Sequence, residues 1–209
     1  MFGPLTLIGR DPLVFVLLVV TFLMGVMLRG VVQAHVAARL GDDSARQEGY
    51  GVPEPSVHFD VVGAALYVLL GVALSRPVPL TLRGRRAVYA LVSGPLTLLV
   101  WALLLLVLQR AQQNAFAGAD VLGQALGLAA YASTLHAVFY LLPLPHLDGG
   151  RLVFLAGPRG ARRALAHLEG PGVLVTYIVW VVLYLSNVLV QVAAPLWAGL
   201  QWLISRLPW

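Results

Sequence analysis

The chain has 209 residues, 59% of them hydrophobic and only 11% charged, whereas a soluble domain carries about 25% charged residues; an ordinary soluble enzyme is excluded. It contains no Cys, which removes disulfides and thiolate ligands, so a metal site would have to be built from His, Asp or Glu. All 14 cationic residues are Arg and the formal charge is +5, yet basic and aromatic residues do not interleave as they would on a nucleic-acid surface; no nucleic-acid partner is expected, and the positive balance reads as membrane topology.

Five apolar blocks follow one another. The first, residues 12–40, is uncharged from Leu13 to Leu28 and keeps helical character to Leu40. It is too long for the apolar core of a signal peptide, and no small-residue cleavage site follows it. The second, 61–74, has only 14 residues, short of the ~20 needed to cross about 30 Å of hydrocarbon. The blocks 87–108, 121–142 and 173–202 all exceed that length. Trp197, Trp202 and Trp209 near the end of the chain suit an interfacial aromatic belt. The polar segments between blocks, Gly41 to Asp60, Ser75 to Arg86, Arg110 to Asp120 and Gly149 to Gly172, are too short to be domains. The expectation is one all-α, polytopic transmembrane domain over 1–209 with four to five hydrophobic segments. Its partner is the lipid bilayer, and its place is a multi-pass position in a bacterial plasma membrane.

Short cytoplasmic loops carry the excess positive charge. Arg76, Arg83, Arg85 and Arg86 mark one such loop, and Arg151, Arg159, Arg162 and Arg163 mark another. Both are expected inside, and the segment around Gln112 outside.

Candidate chemistry centres on Leu141-Leu142-Pro143-Leu144-Pro145-His146-Leu147-Asp148-Gly149-Gly150-Arg151. Its prolines cannot continue a helix, so the chain presents Asp148 from irregular backbone at membrane depth. An acid there is costly, and it reads either as a functional carboxylate with a partner or as a simple cap of the Gly149-Gly150 turn.

Taken together, these residues make the chain resemble the site-2 protease family of intramembrane zinc metalloproteases in its compact bacterial form. The family's Asn followed by Leu-Leu-Pro-x-Pro-Pro-Leu-Asp-Gly corresponds to Tyr140 to Gly149, with Tyr140 for the Asn and His146 for the second Pro. Ala34 to Arg46, Glu54 to Gly63 (EPSVHFDVVG), Arg76-Pro77-Val78-Pro79 and Ser93-Gly94-Pro95-Leu96 follow in family order, so the likeness runs from about residue 29 to 173. It implies a site-2 protease-like core, metalloendopeptidase ancestry and Asp148 as the third zinc ligand.

The departure falls on the catalytic motif. The family's His-Glu-x-x-His supplies two zinc ligands and the carboxylate that activates water. Anchored on Leu40-Gly41-Asp42, those positions are held here by Arg29, Gly30 and Gln33. His35 cannot stand in, because two residues along a helix is a rotation of about 200°. His58, Asp60, His136 and His146 are the remaining helpers for a metal site with Asp148, at spacings that match no metal motif.

Arg29 and Gln33 lie one turn apart on one helix face. A guanidinium there would replace the metal opposite Asp148, the two charges neutralising each other with Gln33 adding a hydrogen bond; otherwise Arg29 snorkels to the interface. For Arg29 to reach the depth of Asp148, block 61–74 has to be re-entrant. Three functions follow. The first is a pseudoprotease that binds or regulates transmembrane segments of clients, or partners an active protease, without a cofactor. The second is an active zinc endopeptidase with a non-standard ligand set. The third is a small transporter or channel in which Arg29, Asp148 and His136 form a polar pathway.

Overall fold

The computed structural model describes residues 3–59, 61–115, 121–168, 170 and 172–207; Asp60, Asp120 and Trp209 lie outside them. A single 3-10 turn, Pro4–Leu7, precedes α1, Pro12–Arg39. The α1 helix starts sharply because the Asp11 carboxylate accepts from the Val14 N–H at 3.1 Å and Pro12 occupies the first helical position, where its missing donor costs nothing. Its buried residues, Val14, Leu18, Phe22, Gly25, Val26, Arg29, Gly30, Gln33, Ala34 and Ala37, recur at helical spacing. Arg29, Gly30 and Gln33 therefore sit on the stripe that packs into the protein, while Leu13, Val16, Val20 and Met24 face outward.

Two single-turn helices follow, α2 (Ser44–Gln47) and α3 (Pro55–His58), and then α4, Val61–Leu70. With 10 residues, α4 rises only about 15 Å, half the hydrocarbon thickness, so this block does not cross by itself. The chain continues without regular structure to Arg83, with Val72, Ala73, Ser75 and Val78 buried. Irregular backbone is tolerated at membrane depth only when enclosed by protein in this way.

The long helices α5 (Gly84–Ala115) and α6 (Val121–Tyr140) pack on α1 and on each other to make the central three-helix unit. The α5 helix begins before and ends after the apolar block 87–108, since Arg and Gln side chains extend a helix as readily as Leu does. Small residues on the buried side of α6, including Ala125, Ala129, Ala130 and Ala137, let the backbones approach closely, as helix pairs in lipid require. Beyond the Pro-rich turn come α7 (Asp148–Ala156), the Arg-bearing α8 (Arg159–His167), α9 (Gly172–Leu185) and α10 (Val188–Ser205).

The last apolar block, 173–202, is two helices and not one. Asn187 adopts left-handed backbone at φ 58° and breaks the run between α9 and α10, a conformation Asn tolerates better than other non-glycine residues. Apolar periodicity carries no mark of such a break. Among the described residues four helices (α1, α5, α6 and α10) are long and apolar enough to cross a membrane, and α8 with α9, bent by 101°, makes a fifth when taken as one broken span. No strand occurs among the described residues. The protein is a multi-pass integral membrane protein.

Candidate functional site

Three elements meet where α1 is two-thirds complete. Arg29 and Gln33 come from the buried stripe of α1, Asp148 opens α7, and the enclosed segment after α4 supplies Ser75. Asp148 is delivered by the turn before it. A Cβ on Gly149 would stand 2.1 Å from the Leu141 carbonyl oxygen and one on Gly150 2.0 Å from that of Leu144, so only two glycines allow the Pro-rich turn to fold back onto the start of α7. The carboxylate then sits in the first turn of that helix, where the helix dipole favours an anion. Thr176 of α9 pins the same turn through a 3.0 Å hydrogen bond to the Pro145 carbonyl.

The Arg29 guanidinium donates from Nη2 to Asp148 Oδ2, and both side chains are 2% exposed. Gln33 Nε2 donates to the other carboxylate oxygen at 3.2 Å. Arg29 Nη1 donates to Ser75 Oγ at 2.7 Å, and the guanidinium carbon lies 3.8 Å from the centroid of the Tyr140 ring, a stacking arrangement Arg favours. The Tyr140 hydroxyl in turn donates to the Ala73 carbonyl at 2.9 Å and accepts from the Ser75 N–H at 3.0 Å. One continuous network therefore ties α1, α6, α7 and the irregular segment together. The sequence singled out Tyr140 only as a departure; its place under the guanidinium, and that of Ser75, depends on contacts across more than 40 residues that no local pattern encodes.

His58 occupies the space beside Gly30. A Cβ on Gly30 would stand 2.5 Å from His58 Nδ1, while His58 Nε2 donates to the Val52 carbonyl at 3.0 Å. On α5, Gly94 comes so close that a Cβ there would lie 3.1 Å from Asp148 Oδ2 and 3.2 Å from Arg29 Nε. Three buried polar atoms of this region, Arg29 Nε, Gln33 Oε1 and His58 Nδ1, have no hydrogen-bond partner among the described residues.

A Bacillus subtilis (strain 168) protein named "Putative zinc metalloprotease YwhC" is 30% identical over 179 residues, covering 81% of this chain and 80% of that protein. The chain belongs to the site-2 protease family. No family model matches it, and no solved structure does.

Site-2 protease ancestry implies a zinc ion, and the side chains present do not fit one. Both oxygens of Asp148 are engaged by N–H donors, and neither a guanidinium nor the amide nitrogen of Gln33 has a lone pair to offer a metal. Gly30 leaves no carboxylate to activate water, and the His58 ring fills the room one would need. Of the alternative ligands only His58 stands beside the site, its Nδ1 without a partner among the described residues, and the others do not join it. His136 is buried with both nitrogens committed, Nδ1 to the Ala132 carbonyl at 2.7 Å and Nε2 to the Ala73 N–H at 3.2 Å. His146 is exposed on left-handed backbone at φ 65°, and Asp60 lies outside the described residues. Among the described residues no three His, Asp or Glu side chains gather as metal ligands. His35 is exposed and faces away from Arg29, its Nδ1 2.9 Å from the Val31 carbonyl.

Away from this site, the loop after α1 is tied by Asp42, which accepts from Ser44 Oγ at 2.6 Å and from the Thr81 N–H at 2.6 Å. Burial works to raise its pKa, but the hydrogen bonds from Ser44 and Thr81 outweigh that and hold the carboxyl down at about 2.

Proposed function

We propose that this member of the site-2 protease family is a pseudoprotease, in which the Arg29–Asp148 pair stands in for the zinc ion and the protein binds transmembrane segments of clients, or of a partner protease, without cutting them. The observation that carries this reading is the Arg29 guanidinium seated on both Asp148 and the Tyr140 ring. The charge that the ancestral metal would have brought to Asp148 is then supplied covalently, and a buried carboxylate so paired is stable in lipid. The site keeps the framework that approaches a client while lacking the base and the Lewis acid that peptide hydrolysis needs.

The test is reconstitution in lipid nanodiscs with dye-labelled single-span peptides, reading association by energy transfer and integrity by mass spectrometry. Association with intact peptide is expected. Zinc-dependent cleavage that disappears in Asp148→Ala would overturn the pseudoprotease reading, and absence of association with any peptide would overturn client binding.

A further inference from the structure

About 16 Å along α1 from Arg29, by the helical rise, lies a separate cavity of about 180 Å³. It is bounded by α1, α4, α6, α9 and the Pro4–Leu7 turn, and its walls include Leu18, Tyr67, Tyr131, His136, Trp180 and Tyr184. A cavity of about 150 Å³ lined by apolar side chains is enough to hold benzene. Five of the six side chains just named are aromatic or imidazole rings, and such walls favour a flat ring through offset and edge contacts.

One donor on a side chain that lines this cavity is unanswered. Tyr67 is 1% exposed, and its hydroxyl has no hydrogen-bond partner among the described residues. Buried polar groups are almost always paired, so an orphan of this kind calls for an explanation. His136 cannot supply the partner, because Ala132 and Ala73 already satisfy its two nitrogens. The wall's other polar side chains are Thr6, whose Oγ1 donates to the Gly3 carbonyl at 3.1 Å, His136, and the hydroxyl-bearing Tyr131 and Tyr184, and the remaining lining residues are apolar or glycine. A mostly apolar molecule with one acceptor suits such a wall and answers the Tyr67 donor. Next to it, Leu66, Leu70, Leu174, Ile178 and Val182 form an apolar groove between α4 and α9 that shares Leu70 with the cavity. Leu174, Ile178 and Val182 are exposed, so in a membrane that groove faces lipid.

We propose that this cavity is a binding site for a lipid-soluble small molecule with a flat ring bearing one carbonyl or ether oxygen, which enters from the bilayer between α4 and α9 and accepts a hydrogen bond from Tyr67. The inference stands apart from the pseudoprotease reading, because none of its residues contacts Asp148.

Acetophenone and ethylbenzene are near-isosteric probes that differ in the acceptor. Each is titrated into the detergent-purified full chain, and saturable quenching of tryptophan fluorescence is read, with Trp180 in the cavity wall. Wild type is expected to bind acetophenone about threefold to tenfold more tightly than ethylbenzene, the range one net hydrogen bond supports. Tyr67→Phe should equalise the two, and Ala132→Phe, which fills the cavity, should abolish saturable quenching by both; Leu128→Phe serves as a second filling variant if Ala132→Phe does not fold. Equal affinities in wild type, or quenching that survives cavity filling, would overturn the proposal.

Discussion

Removing one member of the Arg29–Asp148 pair leaves the other charge stranded. Both side chains are 2% exposed, so water cannot replace the lost partner, and stranding a buried charge costs about 3–5 kcal/mol. Asp148→Leu strands a guanidinium that retains only Ser75 and the Tyr140 ring. Arg29→Met strands a carboxylate that retains the 3.2 Å bond from Gln33 and the more distant charge of Arg151. The double variant strands neither, because replacing both members of a buried pair by apolar groups of similar volume is often neutral. Its destabilisation should therefore fall short of the sum of the singles by at least about 2 kcal/mol, at the upper end of coupling seen between contacting residues. Unfolding by sodium dodecyl sulfate from mixed micelles, followed by circular dichroism on the four proteins, measures this. Additivity within about 0.5 kcal/mol would mean that the two charges do not interact, and the reasoning built on their pairing would fail.

Other consequences reach the same network and its surroundings. Gly94→Ala forces a methyl to 3.1 Å from Asp148 Oδ2 and should cost about 1–3 kcal/mol by overpacking, a loss the same unfolding assay would register and the Arg29→Met, Asp148→Leu background should relieve. Gly30→Ala meets the His58 ring at 2.5 Å and should likewise destabilise, with His58→Ala restoring stability in the double variant; a fully stable Gly30→Ala protein would contradict the placement of His58. For Asp42, whose carboxyl is held at about 2 against an ordinary 3.8, the depressed value means stability that is complete above about pH 4 and lost as pH falls toward 2. Asp42→Asn should thus lower the thermal midpoint at pH 6, by no more than about 2 kcal/mol in stability, and the gap from wild type should close as the pH approaches 2.

Much of the architecture could be read from the chain because a bilayer imposes length and polarity on every span. The blocks at 12–40, 87–108 and 121–142 correspond to α1, α5 and α6, and the 14-residue block at 61–74 is too short to cross. Arg29 and Gln33 could be put on one face of a helix by the 3.6-residue period alone. What could not be read depends on contacts distant in sequence or on a single dihedral angle. The break at Asn187 is one residue's positive φ. Ser75 and Tyr140 reach Arg29 because an enclosed, irregular segment is threaded between α1 and α6, and neither apolar periodicity nor charge count reports where such a segment runs. Gly30 looked like the simple loss of a catalytic acid. In three dimensions its missing side chain is also the space that His58 fills, so the loss is built into the packing of the site.

That coupling bears on any attempt to restore the family motif. Substituting Arg29→His, Gly30→Glu and Gln33→His together places ligands and a base in sequence, yet the new carboxylate meets the His58 ring, and Tyr140 loses the cation stacked on it.

The metal content of the purified protein bears most directly on the claim that a guanidinium has taken the place of zinc. Inductively coupled plasma mass spectrometry on folded, monodisperse wild type and on Asp148→Ala, both prepared with zinc supplied during growth, should find well below one zinc per chain in each and no difference between them. Near-stoichiometric zinc in wild type that vanishes in Asp148→Ala would contradict the account, because Asp148 would then be holding a metal and not Arg29.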